Sequence, residues 1–321
     1  MNLVFGADLV RRAQEVCTVT AVGTDTSDPA AVKRVIAGAE IVLSTWGMPI
    51  LTPEILDAAP DLKLVIYCAS SVKGFVTSAV FERGITVTSA ARANGRVVAE
   101  FTVALMTICL KDSWKFIRHD PDTAAYFRRD LPWRGLGGFN EAVVGIIGAS
   151  SVGVELLALL SSYPCECLVY DPYVSPEEVA DIGGRSVELD LLLSRSDVVS
   201  LHAPNLPTLK HMIDASKLSL LKDGAWFINT ARGGLVDEQA LLQELKSGRI
   251  GACLDVTDPE PPVRDSMLYS LPNVVLTPHM AGAIGSDCRR MGLLGIQELE
   301  RFVRGLSPMY PVHASRLNIM G

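Results

Sequence analysis

Short apolar runs alternate with stretches of helical period along almost the whole chain. Runs rich in Val, Ile and Leu at residues 40–44, 62–67 and 85–88 read as strands, and the stretches at 29–37 and 52–58 read as helices between them. The alternation resumes at 142–147, 168–170, 225–228, 251–254 and 274–276. Strand, helix and strand in this order predict βαβ units and therefore an α/β chain with parallel sheets. At 321 residues there is room for two domains. The pattern divides into a first set ending near residue 92 and a second running from 93 to about 285.

In an open parallel sheet, ligands sit at the carboxyl ends of the strands. Three residues of the second set follow apolar runs in this way. Arg232 lies in Asn229-Thr230-Ala231-Arg232-Gly233-Gly234, Glu260 in Asp255-Val256-Thr257-Asp258-Pro259-Glu260-Pro261, and His279 in Thr277-Pro278-His279. An arginine fork grips a carboxylate bidentately. A histidine moves protons near neutrality, and a neighbouring carboxylate fixes its tautomer. Each residue also has a plain structural reading: a tight Gly-rich turn for Arg232, a proline-flanked loop cap for Glu260, and a strand-end histidine for His279.

The run at 142–147 leads into Gly148-Ala149-Ser150-Ser151-Val152-Gly153 and an apolar helix at 154–160. Gly148 and Gly153 occupy the first and third positions of a dinucleotide-binding turn, G-x-G-x-x-G. Ser150 replaces the second glycine. The next strand ends in Asp171, 23 residues after Gly148 and followed by Pro172. An acidic side chain there accepts from a ribose 2′-hydroxyl and repels a 2′-phosphate, so NAD is expected over NADP. The alternative for Asp171 is a turn residue before proline.

These motifs, in this order, resemble the D-isomer-specific 2-hydroxyacid dehydrogenases from about residue 62 to about residue 291. The resemblance implies two Rossmann-like or flavodoxin-like domains with parallel sheets and an active site in the interdomain cleft. Residues 1–92 plus 286–321 would form the substrate (catalytic) domain and 93–285 the NAD-binding Rossmann domain. The implied reaction interconverts a small 2-oxo acid and its D-2-hydroxy acid by hydride transfer with NAD(H). Arg232 would clamp the carboxylate, and His279 with Glu260 would be the acid/base pair. On the cofactor side the family pattern adds Ser151, Val152, His202, Ala203, Pro204, Thr208, Thr230, Ala231, Asp255, Ala281 and Gly282. Residues 198–204 resemble the family loop beneath the adenine and nicotinamide ribose.

On the substrate side, Ser71, Val72 and Lys73 fall in the loop that receives the substrate carboxylate. This loop departs from the family. Gly74-Phe75 is followed by Val76-Thr77-Ser78-Ala79, without either aspartate of the usual G-x-D-N-x-D. Lys73 resembles a lysine of phosphite dehydrogenase. Two alternatives follow: a phosphite-type oxyanion dehydrogenase, or an NAD-sensing protein resembling the C-terminal-binding corepressors. The family also opens with a strand before its first helix. Here residues 7–16 already look helical, so residues 1–5 are either a shortened strand or the first strand is missing.

Residues 97–110 and the segment to Trp133 match the family's connecting helix and dimer arm. Phe116, Arg118, Tyr126, Phe127, Arg128, Arg129 and Trp133 have the composition of an interface core, so a homodimer through residues 97–135 is expected.

Composition narrows the partners. The chain is 49% hydrophobic and 20% charged with net charge -7, which argues against nucleic acid. A small anionic substrate then needs local positive charge, which Arg232 and Lys73 offer. The seven cysteines are scattered, and Cys165-x-Cys167 is not a zinc spacing, so no metal is expected. Reduced thiols and the lack of a basic-then-apolar leader suggest a cytoplasmic protein. The apolar stretch 97–110 contains Glu100 and is short for a bilayer span, so no membrane association is expected.

Overall fold

The computed structural model describes residues 3–20, 23, 26–114 and 137–317. The chain splits into two compact units, Met1–Asn94 with Ala283–Gly321, and Gly95–Gly282.

The first unit is built on three parallel strands, β1 (Ile41–Ser44), β2 (Leu64–Tyr67) and β3 (Thr86–Ser89), in spatial order β1-β2-β3. Central β2 is buried throughout, whereas edge strand β1 is half-buried along its length. Residues 3–5 are turn, not strand, and lead directly into the helix Ala7–Gln14. Of the two readings of the N-terminus, a strand at residues 3–5 is therefore not what the chain forms. A cavity of about 710 Å³ flanks the open edge of β1, lined by Leu9, Ala13, Ile41, Leu43, Ile296 and Leu299 among others. The first and last helices of the unit are joined by Arg12, whose Nη2 donates to Glu300 Oε2 at 2.8 Å. Asp28 caps the helix Pro29–Ile36 by accepting from Ala30 N, with proline at the first helical position.

The C-terminal helix Cys288–Val303 carries Glu298, which is 1% exposed. Its carboxylate accepts from Met309 N at 3.0 Å and Tyr310 N at 2.8 Å. Those bonds hold the tail where Pro311 bridges Thr88 and Val312 N donates to Val87 O at 2.8 Å. A buried carboxylate is tolerated here because backbone donors replace its water.

The second unit is a seven-stranded, all-parallel sheet: β4 (Val143–Ile147), β5 (Glu166–Tyr170), β6 (Arg185–Ser186), β7 (Val198–Leu201), β8 (Trp226–Asn229), β9 (Gly251–Leu254) and β10 (Val274–Leu276). Spatial order is β10-β9-β8-β7-β4-β5-β6. Strands β7, β8 and β9 are buried at every position, as expected of strands covered on both faces. The chain runs outward from β4 to β5 and β6, then returns to place β7 on the other side of β4. That reversal is the topological switch point, where such sheets open a ligand crevice.

Gly148 sits at this point with φ 100. A Cβ there would lie 2.8 Å from the His202 carbonyl. The two strand ends are joined by His202 N donating to Ile147 O at 2.7 Å. Only glycine satisfies both the backbone conformation and this approach.

The helix seen in sequence at 97–110 extends over Ala91–Leu110. At 20 residues it is long and apolar enough to cross a bilayer, so its length does not argue against a span. Its apolar residues Ala99, Val103, Leu105 and Met106 instead pack in the core of the second unit with Val144, Ile146 and Leu156.

Two outcomes are expected in urea unfolding. Glu298→Ala lowers stability by on the order of 3 kcal/mol, two charge-assisted bonds at about 1.5 each. Gly148→Ala costs at least about 1–3 kcal/mol from the positive φ alone. An unchanged denaturation midpoint for either variant contradicts the corresponding packing.

Candidate active site

Arg232, Glu260 and His279 stand on the loops after β8, β9 and β10, three adjacent strands of one sheet. Neighbouring strands lie roughly 4.8 Å apart, so the loops start side by side. His279 Nδ1 and Glu260 Oε1 are 2.6 Å apart, with both side chains half-exposed. An ionised Glu260 takes the Nδ1 proton as a hydrogen bond, which leaves Nε2 of His279 as the open ring nitrogen. Arg232 is exposed, and its Nη1 donates at 2.6 Å to the adjacent Ala231 O. The rest of its fork makes no hydrogen bond or ion pair among the described residues.

Asp255 organises the His279 loop. It is 3% exposed and accepts from Thr277 Oγ1 at 2.6 Å, Met280 N at 2.8 Å and Ala281 N at 2.9 Å. Its own carbonyl accepts from His279 N at 2.9 Å. These bonds hold His279 at φ 53, the left-handed conformation that non-glycine residues seldom adopt. The Asp255 carboxylate thus holds the turn that carries the histidine.

Asn229, absent from the sequence-based set, does the same for Arg232. It is 1% exposed, accepts from Ala231 N at 3.0 Å and donates to Arg232 O at 3.0 Å. An Asn closing an apolar strand before a Gly-rich turn is the available sequence signal. Gly233 completes the arrangement: a Cβ there would overlap the Thr257 carbonyl, so the Arg232 loop rests on the backbone leading to Glu260. Thr257 Oγ1 donates to Pro259 O at 2.8 Å and fixes that stretch. Nearby Glu238 accepts from Asp258 N at 3.2 Å, and burial raises its carboxyl above the usual range.

The residues at the switch point fit a dinucleotide. Gly148 and Gly153 leave a cradle, since a Cβ on Gly153 would overlap Gly148 O. Ser150 has φ -67, so this position does not need glycine for its backbone, and its hydroxyl makes no cap bond to the helix Ser151–Leu160. Ser151 and Val152 are the first two helical residues, three places earlier than the apolar run suggested. Their N–H groups at the helix N-terminus suit a pyrophosphate.

Asp171 Oδ2 accepts from Ala149 N and Oδ1 from Tyr173 N, both at 2.8 Å. It thus ties the glycine turn to the end of β5 and makes the turn before Pro172 as well. Each oxygen keeps a lone pair for a ribose hydroxyl. His202 Nε2 shares a 2.9 Å hydrogen bond with Ser200 Oγ, while His202 Nδ1 and Thr230 Oγ1 are buried without a partner among the described residues. Burial pushes the His202 imidazole down to about 3, which favours the neutral ring. Ala203 and Ala281 are buried, Pro204, Ala231 and Gly282 half-buried, and Thr208 exposed.

The loop with Ser71, Val72 and Lys73 belongs to the other unit, at the carboxyl end of β2. None of the backbone N–H groups of residues 70–74 donates a hydrogen bond among the described residues. Lys73 is exposed and Ser71 half-buried. Val72 is fully buried, so its side chain belongs to the core and only its amide can meet a ligand. Most of the expected dimer arm, residues 115–135, lies outside the described residues.

The sequence model described as "D-isomer specific 2-hydroxyacid dehydrogenase, NAD binding domain" matches residues 119–281. A D-3-phosphoglycerate dehydrogenase of Archaeoglobus fulgidus is 32% identical over 79% of this chain and 47% of its own length. The chain thus spans about half the length of that relative. A hydroxypyruvate reductase of Thermotoga maritima is 31% identical over 78% of this chain and 80% of its own. Among solved structures, the TT0316 protein of Thermus thermophilus superposes with TM-score 0.68 at 28% identity, covering 96% of this chain and 97% of that one. With these matches, and with a glycine cradle and an Arg, Glu and His set on successive strand ends, the chain belongs to the D-isomer-specific 2-hydroxyacid dehydrogenase family and carries its NAD-binding domain.

Proposed function

We propose that the protein is an NAD(H)-dependent oxidoreductase interconverting a small 2-oxo acid and its D-2-hydroxy acid. The observation that carries this reading is the 2.6 Å His279–Glu260 pair on the same sheet edge as Arg232. The names of the relatives, a D-3-phosphoglycerate dehydrogenase and a hydroxypyruvate reductase, support it. Nothing observed favours a phosphite-type or corepressor-like role over it.

When bound, the nicotinamide supplies or takes up the hydride. Arg232 grips the substrate carboxylate and polarises the neighbouring carbonyl, tasks its fixed charge and planar fork suit. His279 Nε2 hands a proton to the carbonyl oxygen during reduction and removes it during oxidation. Glu260 holds the ring by Nδ1 and stabilises the imidazolium. Asp171 accepts from the adenosine ribose and disfavours a 2′-phosphate, so NADH is preferred over NADPH. A homodimer through residues 97–135 is part of the same proposal, resting on the aromatic and arginine content of that segment.

His279→Gln is expected to lower kcat for 2-oxo acid reduction by about 10²–10⁴-fold, the usual worth of general acid–base help. NADH affinity, followed by fluorescence titration, should stay within about threefold because the glycine cradle is untouched. Near-wild-type turnover in the variant removes His279 from the acid/base role.

A further inference from the structure

Two of the cysteines meet at the start of β5, within the second unit. Cys165 and Cys167 are both half-buried, and their Sγ atoms lie 3.9 Å apart. A strand puts residues i and i+2 on one face, which brings the two thiols together. Cys167 is fixed in the sheet, in register with Val144 of β4. Cys165 stands one residue before the strand, in a turn closed by its N–H donating to Tyr163 O at 2.9 Å. Cα atoms two residues apart on an extended chain are roughly 6.6 Å apart. A disulfide spans about 4.4–6.8 Å between Cα atoms, so this pair can close, near the upper limit.

The two sulfurs differ in character. The Cys167 thiol donates toward Cys165, and this hydrogen bond holds the Cys165 thiol below its ordinary range. The same bond, with burial after it, pushes the Cys167 thiol up. The thiolate is the attacking form, so Cys165 has the nucleophile's position and Cys167 that of the resolving thiol. A second close pair, Cys109 and Cys253 with Sγ atoms 3.4 Å apart, lies in the core at 2% and 1% exposure. Packing accounts for that pair, since a solution oxidant does not reach it. Half-exposure sets Cys165 and Cys167 apart.

We propose that Cys165 and Cys167 form a reversible dithiol–disulfide site that reacts with small disulfides of the glutathione type. The Cys165 thiolate attacks one sulfur of the small disulfide RSSR, whose S–S bond breaks, and RS⁻ leaves with the bonding pair. Cys167 then gives its proton to solvent and attacks the Cys165 sulfur, expelling a second RS⁻. The two protein thiols are oxidised, RSSR is reduced, and the two protons released convert both RS⁻ to RSH. A bridge half in water and near the limit of its span is readily reduced again by excess thiol, as labile disulfides are. Asp171, at the other end of β5, is six residues from Cys165, roughly 20 Å along an extended chain. The site is therefore separate from the candidate active site and does not rest on the dehydrogenase reading.

The test is to incubate the reduced, folded full chain with oxidised glutathione, block remaining thiols by alkylation, and read intact mass and peptides by mass spectrometry. The wild-type chain should lose two hydrogens within one peptide bridged between Cys165 and Cys167, and regain them in excess dithiothreitol. In Cys167→Ser the reaction should stop with one glutathione on Cys165. In Cys165→Ser, glutathione should reach Cys167 about tenfold or more slowly than it reaches Cys165 in Cys167→Ser. The wild-type measurement needs no variant to fold, so it decides the matter alone. No bridge in the folded chain, a glutathione that persists on Cys165, or a bridge between other cysteines overturns the proposal. Equal rates in the two variants overturn the division into nucleophile and resolving thiol.

Discussion

The buried carboxylate of Asp255 is the constraint on which the candidate site depends. One residue touches the ends of three strands: its N–H donates to Asn229 O at the end of β8, its carbonyl accepts from His279 N after β10, and it stands itself directly after β9. Its two oxygens take three donors from residues 277–281. A carboxylate at 3% exposure survives only because those donors replace water. The arrangement is mutual. The donors need the carboxylate, and the left-handed His279 backbone is held against its own preference by the bonds on either side of it.

Rigidity spreads from there through the main chain more than through side chains. Asn229 closes a turn around Ala231 and Arg232, and Gly233 lets that turn lie on the Thr257 carbonyl. The arginine loop therefore cannot shift without disturbing the stretch that leads to Glu260. Holding reactive groups on interlocked backbone reduces the reorganisation needed when a substrate arrives. It also explains why the three chemical side chains themselves remain exposed or half-exposed: their positions are set by what lies beneath them.

The parts of this design that follow from short-range pattern were legible in the sequence. The apolar runs of β8, β9 and β10 announce strands, and Arg232, Glu260 and His279 stand out because they are polar residues just beyond those runs. Gly148 and Gly153 are legible for the same reason, since a tight turn needs them locally. What was not legible depends on partners distant in sequence. The role of Asp255 comes from residues more than 20 positions onward, and that of Asn229 from a turn whose packing needs Thr257. Ser150 shows a motif rule overruled by geometry: with φ -67 the backbone there is ordinary, so glycine is a matter of space alone. The early start of the helix at Ala91 was hidden because Arg92, Asn94 and Arg96 break the apolar run without breaking the helix.

The residues proposed for proton transfer and the loop that departs from the family pattern lie in different units of the chain. The family match, residues 119–281, falls inside the second unit, Gly95–Gly282, where the cradle and the Arg, Glu and His loops lie. The loop with Ser71, Val72 and Lys73 belongs to the first unit. In that loop region the sequence also departs most from the family pattern, lacking both aspartates after Gly74. A chain divided in this way can keep its proton and hydride chemistry while the loop at the end of β2 changes. The family model is therefore evidence about the second unit, while similarity to the hydroxypyruvate reductase, over 252 residues, extends beyond that unit into the first.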